Sequence, residues 1–283
     1  MDYSFIRYLE AKRSVDDRAL NKDVWRALKT EIDQRHTDAP LRVLELGAGI
    51  GTMLERMLDW DLFDEVHYTL LDQDEHNIAR AKERLKAQNL TLDYFQADVF
   101  AFLEDNPNNT WDLIVAHAFL DLLDVSKLLP QLVEHIADIG LCYFTINYDG
   151  ETIFEPVIEP DLDAHILHLY NRSMDERIID GDLSGDSRAG RHLFGQLQSA
   201  GLHILEAGSS DWVVFPTDGK YPHDEAYFLM HVLHFFEDSL TDHPELDAKA
   251  FKGWLAQRRQ QVARGELIYI AHQLDFLATL NSA

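Results

Sequence analysis

A glutamate followed by three closely spaced glycines is the segment of this sequence best suited to chemistry. Glu45-Leu46-Gly47-Ala48-Gly49-Ile50-Gly51 follows an apolar stretch and precedes an amphipathic segment that starts at Thr52. Glycines at such a turn let the backbone approach a ligand closely, and a helix that follows presents unpaired N–H groups toward it. The segment therefore predicts a strand, a turn and a helix arranged around a nucleotide.

Two further acids follow the next predicted strands. Asp72 closes the apolar run from His67 to Leu71 and lies 21 residues after Gly51, and Asp98 follows the run from Leu92 to Ala97. An acid about 20 residues beyond the glycines is where a βαβ nucleotide site holds the ribose hydroxyls. The dinucleotide fingerprint has the spacing G-x-G-x-x-G, whereas the third glycine here comes one residue early. The spacing therefore disfavours a nicotinamide dehydrogenase.

From about Arg42 to Tyr148 the chain resembles the class I S-adenosylmethionine-dependent methyltransferases. The resemblance implies that the segment from Glu45 to Gly51 is their first motif, that Asp72 is their ribose acid and that Asp98 is their adenine contact. It implies S-adenosyl-L-methionine as the cofactor, bound by Glu45, Gly47, Ala48, Gly49, Gly51, Asp72, Gln73, Asp98, Val99 and Ala116. The alternative is an NAD-dependent dehydrogenase, or another nucleotide-binding domain, in which the acids cap helices.

His117 and Asp121 are the predicted catalytic residues, because the segment after the fourth strand lies next to the reactive methyl group in the resembled family. They are four residues apart, so one helical turn would place both on one face and let the carboxylate orient the imidazole as a base. His117 could instead shape the pocket, and Asp121 could cap the next helix. The segment from Ala116 to Phe119 lacks the Asn/Asp-Pro-Pro-aromatic tetrad of methyltransferases that act on exocyclic base or glutamine nitrogens, which disfavours that class.

Charge and composition restrict the partners. Fifty acidic residues against 25 basic ones give a net charge of −25 over 283 residues, which repels nucleic acid. No apolar run approaches membrane-spanning length and the first residues lack a signal-peptide core, so we expect a cytoplasmic enzyme with no membrane partner. The single cysteine, Cys142, is expected to be a buried apolar residue and excludes a disulfide framework.

The order of elements predicts an α/β fold. We expect a Rossmann-like, doubly wound, mostly parallel seven-stranded sheet, with the antiparallel last strand that the resemblance implies, N-terminal helices and two mainly helical inserts forming a lid. The expected ranges are an N-terminal helical cap at 1–40, the cofactor-binding core at 41–149, a lid insert at 150–186, a core helix and strand at 187–216, a helical lid insert at 217–264 and the last core strand at 265–283.

Capping and breaking residues predict several helix boundaries. A capping box at Ser14 to Asp17 is expected to divide a helix from Phe5 to Arg13 from one that reaches about Gln34. Another helix is expected from His76 to Gln88. Ser126 is expected to cap a helix from Leu128 to Ile139 that Gly140 ends.

Residues outside the core are expected to complete the site. One of four basic residues in the N-terminal helices should meet the methionine carboxylate of the cofactor: Arg7, Lys12, Arg13 or Arg18. The aromatic residues of the inserts either line a closed pocket or pack the helices: Phe154, Tyr170, Tyr221, Tyr227, Phe228, Phe235 and Phe236. Further polar candidates are Tyr148, Asp149, Arg188, Arg191, His192, Ser210, Asp211 and Trp212.

Two H-x-x-H pairs have the spacing of metal ligands on a helix, namely His165 with His168 and His231 with His234. Nothing nearby in sequence completes a site, so we expect packing histidines and no metal. A closed pocket predicts a small-molecule substrate, aromatic or conjugated, methylated through oxygen or nitrogen. The chain could also be a non-catalytic sensor or assembly protein, which would bind the cofactor without an acceptor pocket.

Overall fold

The computed structural model describes residues 3–35, 39–63, 65–86, 90–179 and 181–280. In these residues the β-strands are β1 (Leu41–Leu46), β2 (Val66–Asp72), β3 (Thr91–Gln96), β4 (Trp111–His117), β5 (Ile136–Glu155), β6 (Ile178–Ile179), β7 (Asp182–Leu183), β8 (Leu202–Ser209), β9 (Trp212–Val214) and β10 (Ile268–Leu280). The α-helices are α1 (Phe5–Ala19), α2 (Lys22–Gln34), α3 (Thr52–Asp59), α4 (Glu75–Leu85), α5 (Val99–Asp105), α6 (Val125–Val133), α7 (Pro160–Asp175), α8 (Ala189–Ser199), α9 (Glu225–Leu240) and α10 (Ala248–Ala263). A 3₁₀ turn covers Leu120–Leu122.

The central sheet has the strand order β3-β2-β1-β4-β5-β10-β8. Strands β1 to β5 pair in parallel, whereas β10 runs antiparallel to both β5 and β8. β9 also pairs with β10, next to the stretch that β8 pairs with, so β8 and β9 share one position in the sheet. The predicted Rossmann-like, mostly parallel seven-stranded sheet with an antiparallel last strand is confirmed.

Apolar residues cover both faces of the sheet, as parallel strands require. Because side chains alternate along a strand, Val43 of β1 packs on the side of α1 to α4, α7, α9 and α10, and its neighbour Leu44 packs on the side of α5, α6 and α8. The inserted helices α7, α9 and α10 therefore extend one of the two apolar layers that flank the sheet.

Parallel register brings several strand ends to one edge of the sheet. Leu46, the last residue of β1, pairs with Leu71 of β2 and with Ala116 of β4. His117 at the end of β4 pairs with Thr145 of β5. The residues that follow these ends therefore lie together, at the edge where open α/β sheets bind ligands.

The N-terminal helices differ from the prediction, and the capping box at Ser14 is wrong. Helix α1 runs through Ser14 to Ala19, because Val15 and Asp16 are buried and the Ser14 hydroxyl donates instead to Glu225 Oε1 at 2.7 Å. The chain breaks at Asn21, whose side-chain oxygen accepts hydrogen bonds from the first N–H groups of α2.

Helix α6 begins and ends earlier than predicted. Asp124, not Ser126, caps it, because the Asp124 carboxylate accepts hydrogen bonds from the two N–H groups at Ser126 and Lys127. The helix ends at Val133, and Ile136 already pairs with Trp111 of β4, so Gly140 lies in β5 and ends no helix. Cross-strand pairing overrides the helical spacing in this segment.

The first predicted insert begins as a strand. Residues 150–155 belong to β5, and residues 152–155 pair with β10, so the mainly helical part starts only at Pro160. Gln88, the predicted end of α4, lies outside the described residues, as do residues 1–2 and 36–38 of the N-terminal cap and 281–283 of the last range. Among the described residues, no helix combines the length and the apolar character needed to cross a membrane.

We expect Asn21→Ala to lower the free energy of unfolding by roughly 1–2 kcal/mol, the upper range for loss of an N-cap. The substitution removes the acceptor for the N–H groups of Asp23 and Val24, and a hydrogen bond to the Ser209 carbonyl. Urea denaturation measures the loss. Asn21→Ser keeps an acceptor oxygen and should lose less, so equal losses in the two variants would contradict the capping role.

Candidate functional site

The glycine-rich loop connects β1 to α3 at the edge where the strand ends meet. Gly47 has φ +62°, and a Cβ built on it would lie 2.2 Å from Cδ2 of Phe119. The Phe119 ring therefore packs directly over the loop backbone, and both the dihedral angle and the contact require glycine at this position. The loop is further tied to β2, since the Ala48 N–H donates to the Leu71 carbonyl at 2.9 Å.

Asp72 lies at the end of β2 and is bound to the same loop. Its Oδ2 accepts a hydrogen bond from the Gly49 N–H at 2.8 Å, and its Oδ1 accepts from the Asp74 N–H at 2.9 Å and from Asn77 Nδ2 at 3.2 Å. Burial raises the pKa of Asp72. Helix α4 is capped by Asp74, so Asp72 is not a helix cap.

The other two acids of the motif have different surroundings. Glu45 is buried on β1 and accepts a hydrogen bond from the Tyr68 hydroxyl at 2.8 Å, and burial raises its pKa to about 8. Asp98 caps α5 through Oδ1, which accepts from the N–H groups of Phe100 and Ala101. Helix capping therefore occupies one oxygen of Asp98, as expected for the alternative nucleotide-binding domain in which the acids cap helices.

One cavity of about 800 Å³ contains the residues around these strand ends. The predicted site residues that line it are Glu45, Gly47, Ala48, Gly49, Asp72, Gln73, Asp98, Val99, His117 and Asp121. Gly51 and Ala116 do not line it. Gly51, at the start of α3, packs against Leu85 of α4, and Ala116 is fully buried in β4. The volume lies within the usual range of about 300–1,000 Å³ for ligand pockets.

His117 and Asp121 both line this cavity, but the predicted helical pairing between them is wrong. His117 is the last residue of β4, and the chain turns at Ala118, with φ +50°, before the 3₁₀ turn at Leu120–Leu122. The partner of the imidazole is Asp16 of α1, whose Oδ2 lies 2.9 Å from Nε2. Asp121 therefore does not orient His117.

The environment of His117 keeps its imidazole neutral. Burial and the neighbouring Lys12 ammonium lower its pKa to about 4, although Asp16 acts in the opposite direction. A neutral ring in this position donates Nε2–H to Asp16 and accepts at Nδ1 from the Thr145 hydroxyl, 2.8 Å away. Both nitrogens are therefore occupied, which disfavours His117 as a general base.

Asp16 is a residue of the site that the sequence did not reveal. Besides the His117 contact, its Oδ2 accepts from Lys12 Nζ at 2.7 Å and its Oδ1 accepts from Trp212 Nε1 at 2.9 Å. Although burial acts in the opposite direction, the Lys12 ammonium and the hydrogen bond from His117 hold the pKa of Asp16 well below its usual range. Its partners His117 of β4 and Trp212 of β9 lie about 100 and 200 residues further along the chain, and no local sequence pattern predicts contacts over such separations.

Lys12 is the one of the four candidate cations that lines the cavity. The other three pair with carboxylates away from it: Arg7 with Asp224, Arg13 with Glu55 and Asp59, and Arg18 with Glu225. Only the position of Lys12 fits the expected contact with the methionine carboxylate.

Two residues that follow the paired positions His117 and Thr145 have strained backbones. Ala118 follows β4 with φ +50°, and Ile146 in β5 has φ +58°, an angle that is rare for a β-branched residue. The Ala118 N–H donates to the Thr145 carbonyl at 2.8 Å, and the Ile146 N–H donates to Asp275 Oδ1 at 2.7 Å. Both residues line the cavity, and such strain, of order 1–3 kcal/mol each, concentrates at functional sites.

The remaining candidates divide clearly. Those that line the cavity are Tyr148, Tyr170, Trp212, Phe235 and Phe236, and those that do not are Asp149, Phe154, Arg188, Arg191, His192, Ser210, Asp211, Tyr221, Tyr227 and Phe228. Arg191 pairs with Asp149 at 2.8 Å, and His192 with Asp186 at 2.6 Å.

None of the four H-x-x-H histidines lines the cavity, and the described part of the chain holds no group of three or more metal-ligating side chains.

Comparison with known proteins agrees with this geometry. A family profile described as "Methyltransferase domain" matches residues 43–140. A protein from Bacillus halodurans described as a methyltransferase is similar in structure, with a TM-score of 0.53, 13% identity, and coverage of 90% of this chain and 99% of the other. At this identity the similarity establishes the fold.

Two other solved structures have lower TM-scores. A cyclopropane synthase from Mycobacterium tuberculosis has a TM-score of 0.47 and 11% identity, with 98% of each chain covered. A protein from Galdieria sulphuraria described as a sarcosine dimethylglycine methyltransferase has a TM-score of 0.44 and 17% identity, with 96% of this chain and 85% of the other covered. No curated protein sequence matches the chain.

We expect Gly47→Ala to destabilise the protein by roughly 1–3 kcal/mol, because the new methyl group would overlap the Phe119 ring and the dihedral angle suits glycine. Gly195→Ala is the matched control: it lies in α8, its Cβ would meet nothing within 4 Å, and it should stabilise the helix by up to about 1 kcal/mol. Urea denaturation measures both. A Gly47→Ala variant as stable as the control would show that the loop can relax away from Phe119.

We expect the His117 imidazole to stay neutral between pH 8 and pH 5. Its pKa in the folded protein, about 4, lies below the ordinary value of 6.5, so its contribution to stability is present above pH 6.5 and is lost as the pH falls toward 4. NMR of the ring signals, assigned by comparison with His117→Gln, measures the titration. A midpoint near 6.5 in the wild-type protein would contradict the proposed hydrogen bonds.

Proposed function

Because residues 43–140 form a class I S-adenosylmethionine-dependent methyltransferase domain with S-adenosylmethionine as its cofactor, we propose that the chain methylates a small-molecule acceptor enclosed in the cavity. The observation that carries the proposal is that one cavity contains both the glycine-rich loop with Asp72 and an aromatic region beyond the ends of β4 and β5. A cofactor-binding sensor would not need the second region. This favours an enzyme over the non-catalytic alternative.

The cofactor region has the donors and acceptors that S-adenosylmethionine requires. The loop backbone lies against the start of α3, and the Asp72 carboxylate stands at the end of β2, where ribose hydroxyls are bound in this class of sheet. Lys12 supplies a positive charge for the methionine carboxylate. We propose that the other predicted residues that line the cavity also contact the cofactor. Gly51 at the start of α3 and Ala116 in β4 lie outside the cavity, and we propose that they hold the glycine-rich loop and β4 in position.

We call the aromatic part of the cavity, beyond the ends of β4 and β5, the acceptor region. Three helices and a hairpin cover it. Helix α1 contributes Tyr8 and Lys12, α7 contributes Tyr170 and Met174, and α9 contributes Phe235, Phe236 and other residues. The hairpin of β6 and β7 adds Ile179 and Leu183. We propose that these elements form a lid, which limits the acceptor to a small molecule and, with the strongly negative net charge, excludes nucleic acid.

S-adenosylmethionine supplies an electrophilic methyl group on a sulfonium ion. The protein therefore has to align the acceptor for in-line attack and keep water away. Helices α1, α7 and α9 exclude water, and the strained turn at Ala118 places the residues after β4 at the boundary between the two regions. Since both nitrogens of His117 are occupied, we assign it to holding α1 through Asp16 and leave Asp121 as the acid–base candidate.

Calorimetric titration of the full chain with S-adenosylmethionine, S-adenosylhomocysteine and NAD tests this proposal. We expect saturable micromolar binding of the two sulfur compounds and none of NAD. Asp72→Ala should weaken S-adenosylhomocysteine binding by roughly tenfold to a hundredfold, because it removes a charged hydrogen-bond acceptor worth about 1.5–3 kcal/mol.

The matched control is Asp112→Ala. Asp112 Oδ2 accepts a hydrogen bond from the Arg42 N–H at the opposite edge of the sheet, so this variant loses a similar contact outside the cavity and should keep full affinity. Binding of NAD alone would overturn the proposal in favour of a dehydrogenase. Equal affinities of the wild-type and Asp72→Ala proteins would overturn the role of Asp72.

A further inference from the structure

One oxygen of a carboxylate in the acceptor region is left unsatisfied by the described residues. Among the described residues, Oδ1 of Asp121 is buried and has no hydrogen-bond partner, although Asp121 lines the cavity. Burial raises its pKa to about 6. A buried acceptor without a partner is costly in free energy, which indicates a place for a donor from a ligand.

Aromatic rings line the same cavity as Asp121. Tyr8, Tyr148 and Tyr170 line the cavity, and although burial is the main cause of the raised pKa of each phenol, the negative charge of Asp121 contributes to all three. These rings therefore lie within electrostatic reach of the carboxylate. Within the described part of the chain, the hydroxyls of Tyr8 and Tyr170 make no hydrogen bond to another residue, whereas the Tyr148 hydroxyl is held by Thr152 and Asn171.

The positive groups along the cavity already have partners. Lys12 pairs with Asp16 at 2.7 Å, and Lys127 lies 3.8 Å from Asp124. Arg177 donates from Nε to the Ser184 carbonyl at 2.7 Å and from Nη2 to the Asp121 carbonyl at 3.4 Å, which fixes its guanidinium against the backbone. The charges of Arg177 and Lys12 act against burial on the pKa of Asp121, but among the described residues neither group donates a hydrogen bond to Asp121 Oδ1.

Resting on the proposed methyltransferase function, we propose that the acceptor is an amine, bound as its ammonium form between the aromatic rings and the Asp121 carboxylate. An ammonium ion is attracted both to the faces of aromatic rings and to a desolvated carboxylate. A phenol or an alcohol gains neither attraction to the same degree, and a carboxylate would be repelled. The net charge of −25 also favours the approach of cationic ligands.

The same carboxylate can prepare the amine for attack. Asp121 takes one proton from the ammonium nitrogen. Because its pKa is raised by burial, the difference between the pKa values of the carboxyl group and the ammonium group is smaller than for an exposed aspartate. The freed lone pair then forms the new N–C bond as the C–S bond breaks and its electron pair returns to sulfur. The products are a methylated ammonium ion and neutral S-adenosylhomocysteine, and the proton on Asp121 passes to solvent.

Calorimetry on the full chain saturated with S-adenosylhomocysteine tests the proposal with three ligands of nearly equal shape. These are 2-phenylethylamine, which is cationic, 2-phenylethanol, which is neutral, and phenylacetate, which is anionic. At pH 7.5 we expect the amine to bind at least about tenfold more tightly than the alcohol, and phenylacetate to bind most weakly. The preference should shrink at pH 5, because most Asp121 carboxylates are then protonated.

Asp121→Asn should lose most of the preference for the amine over the alcohol, because only the aromatic rings then attract the ammonium group. It should still bind S-adenosylhomocysteine, which shows that the variant is folded. Asp138→Asn, an exposed residue of β5 outside the cavity, is the matched control and should keep the full preference. Equal binding of the amine and the alcohol by the wild-type protein would overturn the amine proposal and leave the methyltransferase function intact. Absence of S-adenosylhomocysteine binding would instead overturn the proposed function itself.

Discussion

Parallel pairing of β1 with β2 and β4, and of β4 with β5, is the constraint on which the site depends. A shift of one residue in any pairing would move each side chain to the opposite face, where it would meet a different packed layer, so close packing on both faces fixes the register. That register places Leu46 beside Leu71 and Ala116. The loop after Leu46, the carboxylate of Asp72 and the turn after His117 therefore lie together. The hydrogen bond from the Gly49 N–H to Asp72 and the packing of the Phe119 ring on Gly47 then join them directly.

Asp16 closes the site from the other side. Its carboxylate accepts hydrogen bonds from His117 and Trp212 and pairs with Lys12, so one buried group holds α1 against β4 and β9. The desolvation of a buried carboxylate is tolerated because these three donors surround it, and removal of a partner from such a pair typically costs about 3–5 kcal/mol. The neutral state of His117 follows from this arrangement, since the adjacent Lys12 ammonium already balances the charge of Asp16.

The sequence predicted the parts of the molecule that depend on local patterns. The glycine-rich loop, the acid at the end of β2 and the antiparallel last strand follow from spacing and from the family resemblance, and they lie in the structure as expected. The Asp16–His117 contact joins residues 101 positions apart, and helical spacing offered Asp121 as the partner instead. Similarly, β5 begins at Ile136 because β4 supplies a pairing edge, which no property of residues 136–140 alone reveals.

A second buried carboxylate connects the end of α1 to the part of β5 that lines the cavity. Asp275 of β10 accepts from the Asn21 N–H at the junction of α1 and α2, and from the Ile146 N–H at the strained position in β5. Both bonds come from backbone donors, so the group satisfies two N–H groups that the sheet and helices leave without partners. Burial raises the pKa of Asp275 to about 6, so the ionised form is held there at a cost in free energy. The positive φ of Ile146 persists because the Asp275 carboxylate holds the Ile146 N–H in place. The other oxygen of Asp275 holds the Asn21 N–H, just beyond the end of α1. The position of the helix that covers the cavity and the backbone shape of the acceptor region are therefore set together.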